Sequence, residues 1–428
     1  MRVKKWIAWV LVLVFVVTVL GCSNKKPDET ETTTGGGDVS EEETTVNEIP
    51  EEEVVLNFWY VDANMTDYFT GVIESYQTEH PNVTVNMRIV ASTGYLDNIN
   101  TQSINHSNAV DIYMLHNEDL EQAYLAGLAR AYDPEGTVYT EENYGKSALR
   151  AITYDNKRIA YPLYFDGAFL VYNKDYVETV PTTFDGILGF ATMERGEEES
   201  VMDNIEIVCV WPVSDYSFNY EFLSDGLIVG GINGDSRSQV DVENGTVIAA
   251  LQYFQSLNDY FALDRNEVDY EYCLNYFMEG KSAFTFAKTA ALTRLSESEI
   301  NFGTACMPDI SDTISASALS YTQCLVINPY STNVAEAEKF VKALSYDYAS
   351  QFYGQTGYYP SCKAWEYDDI VRGIYENYFD STPMPKMMTL GDYYIELDIL
   401  LHKVWDDEGD IATLLNEFQN FLNVQLNE

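Results

Sequence analysis

From Val54 onward, short apolar runs rich in β-branched and aromatic residues alternate with longer segments whose apolar residues recur every three or four positions. Strand and helix periods taken in turn restrict the chain to βαβ layers around a largely parallel sheet. "VVLNFWYV" has the composition of a buried strand. "TDYFTGVIESYQTEHPN" then places Tyr68, Phe69, Val72, Ile73 and Tyr76 on one helical stripe, with Pro81 to stop it. "VTVNMRIV" alternates Val83, Val85, Met87 and Ile89 as a half-buried strand, and "AVDIYMLH" is another strand that leads into a helix around "NEDLEQAYLAGL". The rhythm returns later. "NGTVIAALQYFQSL" turns Val247, Ala250, Leu251, Phe254 and Leu257 to one side, and "DYEYCLNYFMEGKSAFTFA" is a helix stopped at Gly280 and followed by a strand. "NVAEAEKFVKALSYDYASQFY" is a third helix with Phe340, Val341 and Leu344 inward. The 375 residues from Val54 to Glu428 are too many for one ordinary core, so two lobes are expected.

The first 53 residues are of another kind. "MRVKK" is basic, the 15 residues "WIAWVLVLVFVVTVL" are apolar but short for a spanning helix, and the run stops at "VLGC". A small residue before Cys has the form of a lipobox, so residues 1–21 read as a lipoprotein signal peptide and Cys22 as the acylated first residue. The alternative is an uncleaved membrane anchor; either way the bulk of the chain is exported. Residues 22–53 contain no aromatic residue and cannot bury enough surface to offset ordering, so a disordered acidic tether is expected. The tether sets two lysines against eleven acids, which leaves −38 of the total −44 on residues 54–428. Phosphate binding needs the opposite sign, so nucleic acid is excluded as a partner.

Recognisable catalytic spacing is missing: no HExxH, GxSxG, P-loop or GxGxxG occurs, and the four histidines are scattered. Acids abound, but no spacing singles out a glycosidase pair. "NGDSRSQVDVEN" lacks the acid register and terminal Glu of a calcium loop and reads as a turn. Beyond Cys22 the five cysteines show no zinc spacing and are expected as buried small hydrophobes. Whether Cys306 and Cys324 face each other across strands is left open.

Seven segments in order carry a resemblance. They are "LNFWYVDAN" with the helix ending "EHPNVTV", "DIYMLHNEDLEQAYLAGLARAYDP", "RIAYPLYFDGAFLVYNKD", "GGINGDSRSQVDVENGTVIAALQYFQSL", "FMEGKSAFTF", "NFGTACMPD" and "VINPYSTNVAEAEKFVKALS". From about residue 54 to 428 the chain resembles the extracellular solute-binding proteins of ABC importers, in the family of the maltose/maltodextrin-binding protein. The resemblance implies a two-lobe periplasmic-binding-protein-like α/β fold, each lobe a sheet flanked by helices, joined by a multi-strand hinge. It places residues 54–165 and 316–352 in the first lobe and 166–315 and 353–428 in the second. Strands 159–165 and 168–172 then belong to different lobes, with Asp166 and Gly167 at the hinge, where Gly supplies unusual backbone angles and the carboxylate faces a ligand.

Sugar sites pair flat apolar faces with planar polar groups. Carried over segment by segment, the resemblance implies ligand contacts from Trp59, Tyr60 and Asp62, from His116, Asn117 and Glu118, and from Asp166. The second lobe would add Trp211, Asp215, Tyr216 and Lys288, and the late chain Tyr358, Tyr359 and Tyr393. It implies no enzyme, no cofactor and no metal, but a monomeric, lipid-anchored receptor on the extracytoplasmic face of the membrane. That receptor would capture a sugar or oligosaccharide by lobe closure and deliver it to ABC permease subunits. A cationic or other non-sugar solute, favoured by the acidity, and an exported glycoside-acting enzyme remain the alternatives. If Cys22 is the acylated residue, Cys22→Ala shifts the protein from the membrane to the soluble fraction or leaves the unprocessed precursor, as fractionation and blotting would show.

Overall fold

The computed structural model describes residues 52–104, 109–191, 204–223, 226–363 and 368–427. The signal segment, the tether and Cys22 lie outside them. Two sheets organise the rest. The larger sets its strands in the order Tyr359–Pro360, Tyr161–Gly167, Leu319–Ile327, Ile112–His116, Val54–Tyr60, Val83–Ile89, with Thr382–Pro383 added beside the start of Leu319–Ile327. Val54–Tyr60 runs parallel to both its neighbours, and Leu319–Ile327 runs antiparallel to Ile112–His116 and to Tyr161–Gly167. The smaller sheet has the order Phe302–Ala305, Phe169–Asn173, Ser282–Ala287, Ile207–Val210. Each sheet has its own hydrophobic cluster, one around Phe58, Phe69, Tyr113 and Phe340, the other around Trp211, Phe254, Phe286 and Trp405. These are the two lobes of a periplasmic-binding fold.

The helices follow their stripes. Thr66–Glu79 buries the five residues its spacing predicts, Tyr68, Phe69, Val72, Ile73 and Tyr76. Gly245–Phe261 buries its own five and is capped by Asn244, whose side chain accepts from the Thr246 and Val247 amides. Gly280, at φ 72°, ends the turn after Tyr270–Met278 and leads into Ser282–Ala287, one of the two inner strands of the smaller sheet. Val334–Lys342 turns Phe340 and Val341 into the first core. The described cysteines are all free; Cys306 is exposed and Cys324 buried, so no bridge joins them.

Three segments cross between the lobes, and their positions differ from the sequence expectation. Asp166 and Gly167 do not stand between strands: they pair with Tyr321 and Ser320 inside the larger sheet, and the change of sheet comes at Ala168. Gly167 has no positive φ; a Cβ there would meet the Leu319 carbonyl oxygen at 2.8 Å. Close backbone approach, not backbone freedom, requires the glycine. The second crossing leads from Phe302–Ala305 to Leu319–Ile327. The third, expected at 353, comes near 382, because Tyr359–Pro360 extends the larger sheet and Tyr375 and Tyr378 pack in its core. Phe165 and Tyr378 stack with ring centroids 3.6 Å apart. Only with Met384 and Met387 does the chain enter the second core.

A buried cation closes this junction. Lys386 is 0 % exposed, and its ammonium donates to the carbonyls of Arg150 (3.2 Å), in the first lobe, and of Asn233, on a second-lobe loop. Glu121, also buried, accepts from the Met388 amide at 2.6 Å. Burial lowers the Lys386 ammonium to about 8. A lysine held below its free value costs the folded state stability while charged, and the cost is relieved as pH rises from the folded toward the unfolded value. Relative to Lys386→Met, the wild type therefore gains about 3 kcal/mol of stability between roughly pH 8 and 10.5, at 1.36 kcal/mol per pKa unit. Urea unfolding of both proteins across that range measures it.

Candidate ligand cleft

The ends of the larger sheet's strands and the hinge converge on one set of side chains. Asp62 follows the first strand and caps a short turn by accepting from the Asn64 amide at 2.9 Å. Its other oxygen receives the Tyr164 hydroxyl at 3.4 Å, and Tyr164 stacks on Tyr358 with centroids 4.6 Å apart at 18°. Beside them, Tyr321 lies flat against His116, 5.0 Å between ring centroids at 19°. From the second lobe, Tyr216 and Tyr394 form a third stacked pair at 4.9 Å. Burial raises both of these phenols, and the charge of Glu118, from the opposite lobe, adds to the rise. The cleft is thus walled by aromatic faces from both lobes, with carboxylates at their edges.

Asp166 forms the floor. It is 4 % exposed and draws donors from both sides of the hinge: Oδ1 accepts from the Gly167 and Thr289 amides at 2.9 and 3.0 Å, and Oδ2 from the Tyr321 hydroxyl at 3.4 Å. Thr289 belongs to the second lobe, so the carboxylate ties the lobes together. Burial raises its carboxyl above the ordinary range; the amides of Thr289 and Gly167 and the charge of Lys288 oppose the rise. Lys288 itself sits 4.8 Å above the Phe218 ring.

A cavity of about 290 Å³ opens at the end of strand Ile112–His116, lined by Ser92, Tyr95, His116, Asp119 and Gln323 among others. Two polar atoms at its wall, His116 Nδ1 and Gln323 Nε2, are buried without a hydrogen-bond partner. Orphaned polar atoms beside a cavity are groups that a ligand hydroxyl can satisfy. Burial also lowers the His116 imidazole, which keeps the ring neutral near neutral pH.

Of the residues expected from sequence, Asp62, His116, Glu118, Asp166, Tyr216, Lys288 and Tyr358 come together here. Others are taken by the framework. Tyr60, Trp211 and Tyr393 lie in the cores, Trp211 with its indole nitrogen on Asn219 at 2.9 Å. Tyr359 is buried against Tyr353 at 4.3 Å, and Tyr394, the chain neighbour of Tyr393, stacks on Tyr216 in the place expected for Tyr393. Asn117, fully buried, bridges the Thr322 amide and the Met384 carbonyl. Asp215 caps Tyr216–Asn219 through the Ser217 amide, and Trp59 lies under Arg88, 5.5 Å from its guanidinium carbon. Tyr164, Tyr321, Gln323 and Tyr394 were not singled out by sequence; a strand tyrosine or glutamine carries no local mark of the face it occupies.

Comparison with known proteins agrees with this fold. Residues 71–370 match the family of bacterial extracellular solute-binding proteins, and the chain belongs to that family. Among relatives, it is similar to the maltodextrin-binding protein of Bacillus subtilis, 21% identical over 306 residues, 67% of this chain and 71% of that one. It is similar also to a maltooligosaccharide ABC transporter solute-binding lipoprotein of Streptococcus pneumoniae, 20% identical over 381 residues, 84% of this chain and 86% of that one. A solved cyclo/maltodextrin-binding protein complexed with maltotetraose shares its fold with a TM-score of 0.74 at 16% identity, covering 87% of this chain and 97% of that one. A maltose-binding periplasmic protein from Listeria monocytogenes does so at 0.72 and 17%, covering 88% and 98%.

The buried hinge acid gives a signed expectation. A carboxyl raised in the folded state contributes stability fully below its unfolded value and loses it as pH rises through the folded one. Compared with Asp166→Asn, the wild type loses stability as pH rises from about 4. Thermal melts of the two proteins between pH 4 and 7 check the direction of the difference.

Proposed function

We propose that this chain is a lipid-anchored, monomeric extracytoplasmic receptor that captures a linear glucose oligosaccharide in the cleft and presents it to an ABC permease. The observation that carries the reading is the set of half-buried aromatic faces contributed by both lobes, Tyr358 stacked on the buried Tyr164 on one side and Tyr216 with Tyr394 on the other. Pyranose rings offer flat C–H faces to such platforms, and on this reading Asp62, Glu118 and the unpartnered Nε2 of Gln323 would take the hydroxyls. The relatives named for maltodextrin and maltooligosaccharide point to the same ligand class. Closure over a ligand bound by both lobes would supply the signal a permease reads, because a ligand favours the state in which it makes more contacts.

Titration calorimetry with maltotetraose tests this. Saturable binding is expected, weakened about tenfold by Tyr358→Ala and by Tyr394→Ala, tenfold being about 1.4 kcal/mol. Absence of heat with maltose, maltotriose and maltotetraose would reject the oligosaccharide. The carboxylates Asp62, Glu118 and Asp166 around the cleft support a second reading, a cationic solute. Spermidine binding abolished equally by Asp166→Asn and Asp166→Ala would establish it in place of the first, since a neutral sugar tolerates the isosteric amide better.

A further inference from the structure

Away from the cleft, the first lobe carries a cavity of about 1300 Å³ whose charge is opposite to that of the protein. The whole chain has 68 acidic against 24 basic residues, so ten charged positions taken in that proportion would include about seven acids. Around this cavity the ratio is inverted: seven lysines and arginines line it, against the three acids Asp133, Glu141 and Glu338. Such a reversal raises the local concentration of an anion that the rest of the surface repels.

The cations come from separate pieces of chain. Arg130 precedes a loop, Lys157 and Arg158 stand on the short hairpin strand Lys157–Arg158, and Lys342 ends helix Val334–Lys342. Arg130, Lys157 and Lys342 pair with Glu338, Asp155 and Asp347, but each of these pairs is 40 % exposed or more at both ends. Half-exposed pairs are weak and exchange readily for a stronger partner. Lys146 and Arg150 differ. They stand four residues apart on helix Lys146–Ala151, which puts them on one face, and among the described residues no ion pair engages either. The floor is aromatic: Tyr132 stacks on Tyr161 with centroids 4.4 Å apart at 9°. From the second lobe, the exposed Ile232 and its neighbour Asn233 complete the rim.

We infer that this cavity is a second ligand site, for a multiply charged oxyanion of which oligophosphate is the simplest representative. Three of its cations are arginines; Arg158 already donates to the Leu149 carbonyl and the Thr153 hydroxyl, which leaves the planar forks of Arg130 and Arg150 to match phosphate and carboxylate oxygens in pairs. The volume admits a ligand with several charged groups, and cations on separate walls serve such a ligand better than a single monoanion. Lys146 and Arg150 are the anchors, because they have no protein carboxylate to give up.

The test is calorimetric titration of the full-length protein with inorganic triphosphate at low ionic strength. Wild type is expected to bind saturably, with affinity falling as salt is added. Lys146→Gln with Arg150→Gln should weaken binding at least tenfold while leaving the melting temperature unchanged, which separates loss of the site from loss of the fold. A charge-matched control, Lys174→Gln with Lys403→Gln, removes two cations elsewhere and should bind as wild type does. No saturable binding by wild type, equal binding by the Lys146/Arg150 variant, or equal weakening in the control would each overturn the proposal. None of these outcomes depends on what the cleft binds.

Discussion

A carboxylate taken out of water has to be surrounded by donors, and Asp166 obtains them from both lobes. Its own strand supplies the Gly167 amide, the opposite hinge strand the Tyr321 hydroxyl, and the second lobe the Thr289 amide. Desolvation of the charge is costly unless such bonds are made. The geometry that satisfies Asp166 therefore also fixes how the two sheets meet, and the cleft is built outward from that point. Gly167, with the Leu319 carbonyl where a side chain would be, lets the two hinge strands come close enough for it.

Around this floor the hinge is dense in polar bridges that are buried. Asn117 joins the end of one strand to the amide of Thr322 and the carbonyl of Met384, and Lys386 joins carbonyls of the two lobes. Each bridge is satisfied only in one arrangement of the crossings. Low dielectric makes the penalty for breaking them high, so the crossings behave as a specified joint, whereas the cleft side chains Tyr358, Tyr216 and Tyr394 stay half-buried and available to a ligand.

Much of the fold is legible locally. The stripe Tyr68, Phe69, Val72, Ile73, Tyr76 and the stripe Val247 to Leu257 appear in the structure residue for residue, because helix faces repeat every 3.6 positions and need no distant partner to be recognised. The candidate site was legible only in part. Asp62, His116, Glu118 and Asp166 follow or end strands, which is where such folds place ligands. Among the aromatic residues the sequence could not choose: Tyr393 and Tyr394 are adjacent, yet the first faces Phe418 in the core and the second stacks on Tyr216. One residue of helix rotation decides between them, about 100°.

By itself the sequence determined the α/β alternation, the family and the acidity of the chain. Each depends on neighbours in the chain or on a sum over it. Only the tertiary structure decided that Trp211 and Asn117 are framework, that Gln323 lines a cavity at the end of Ile112–His116, that the third crossing comes near 382, and that cations from four separate segments surround one cavity. These depend on which strands lie side by side, and side-by-side placement joins residues as far apart in the chain as Arg130 and Lys342, a separation over which local periodicity carries no information.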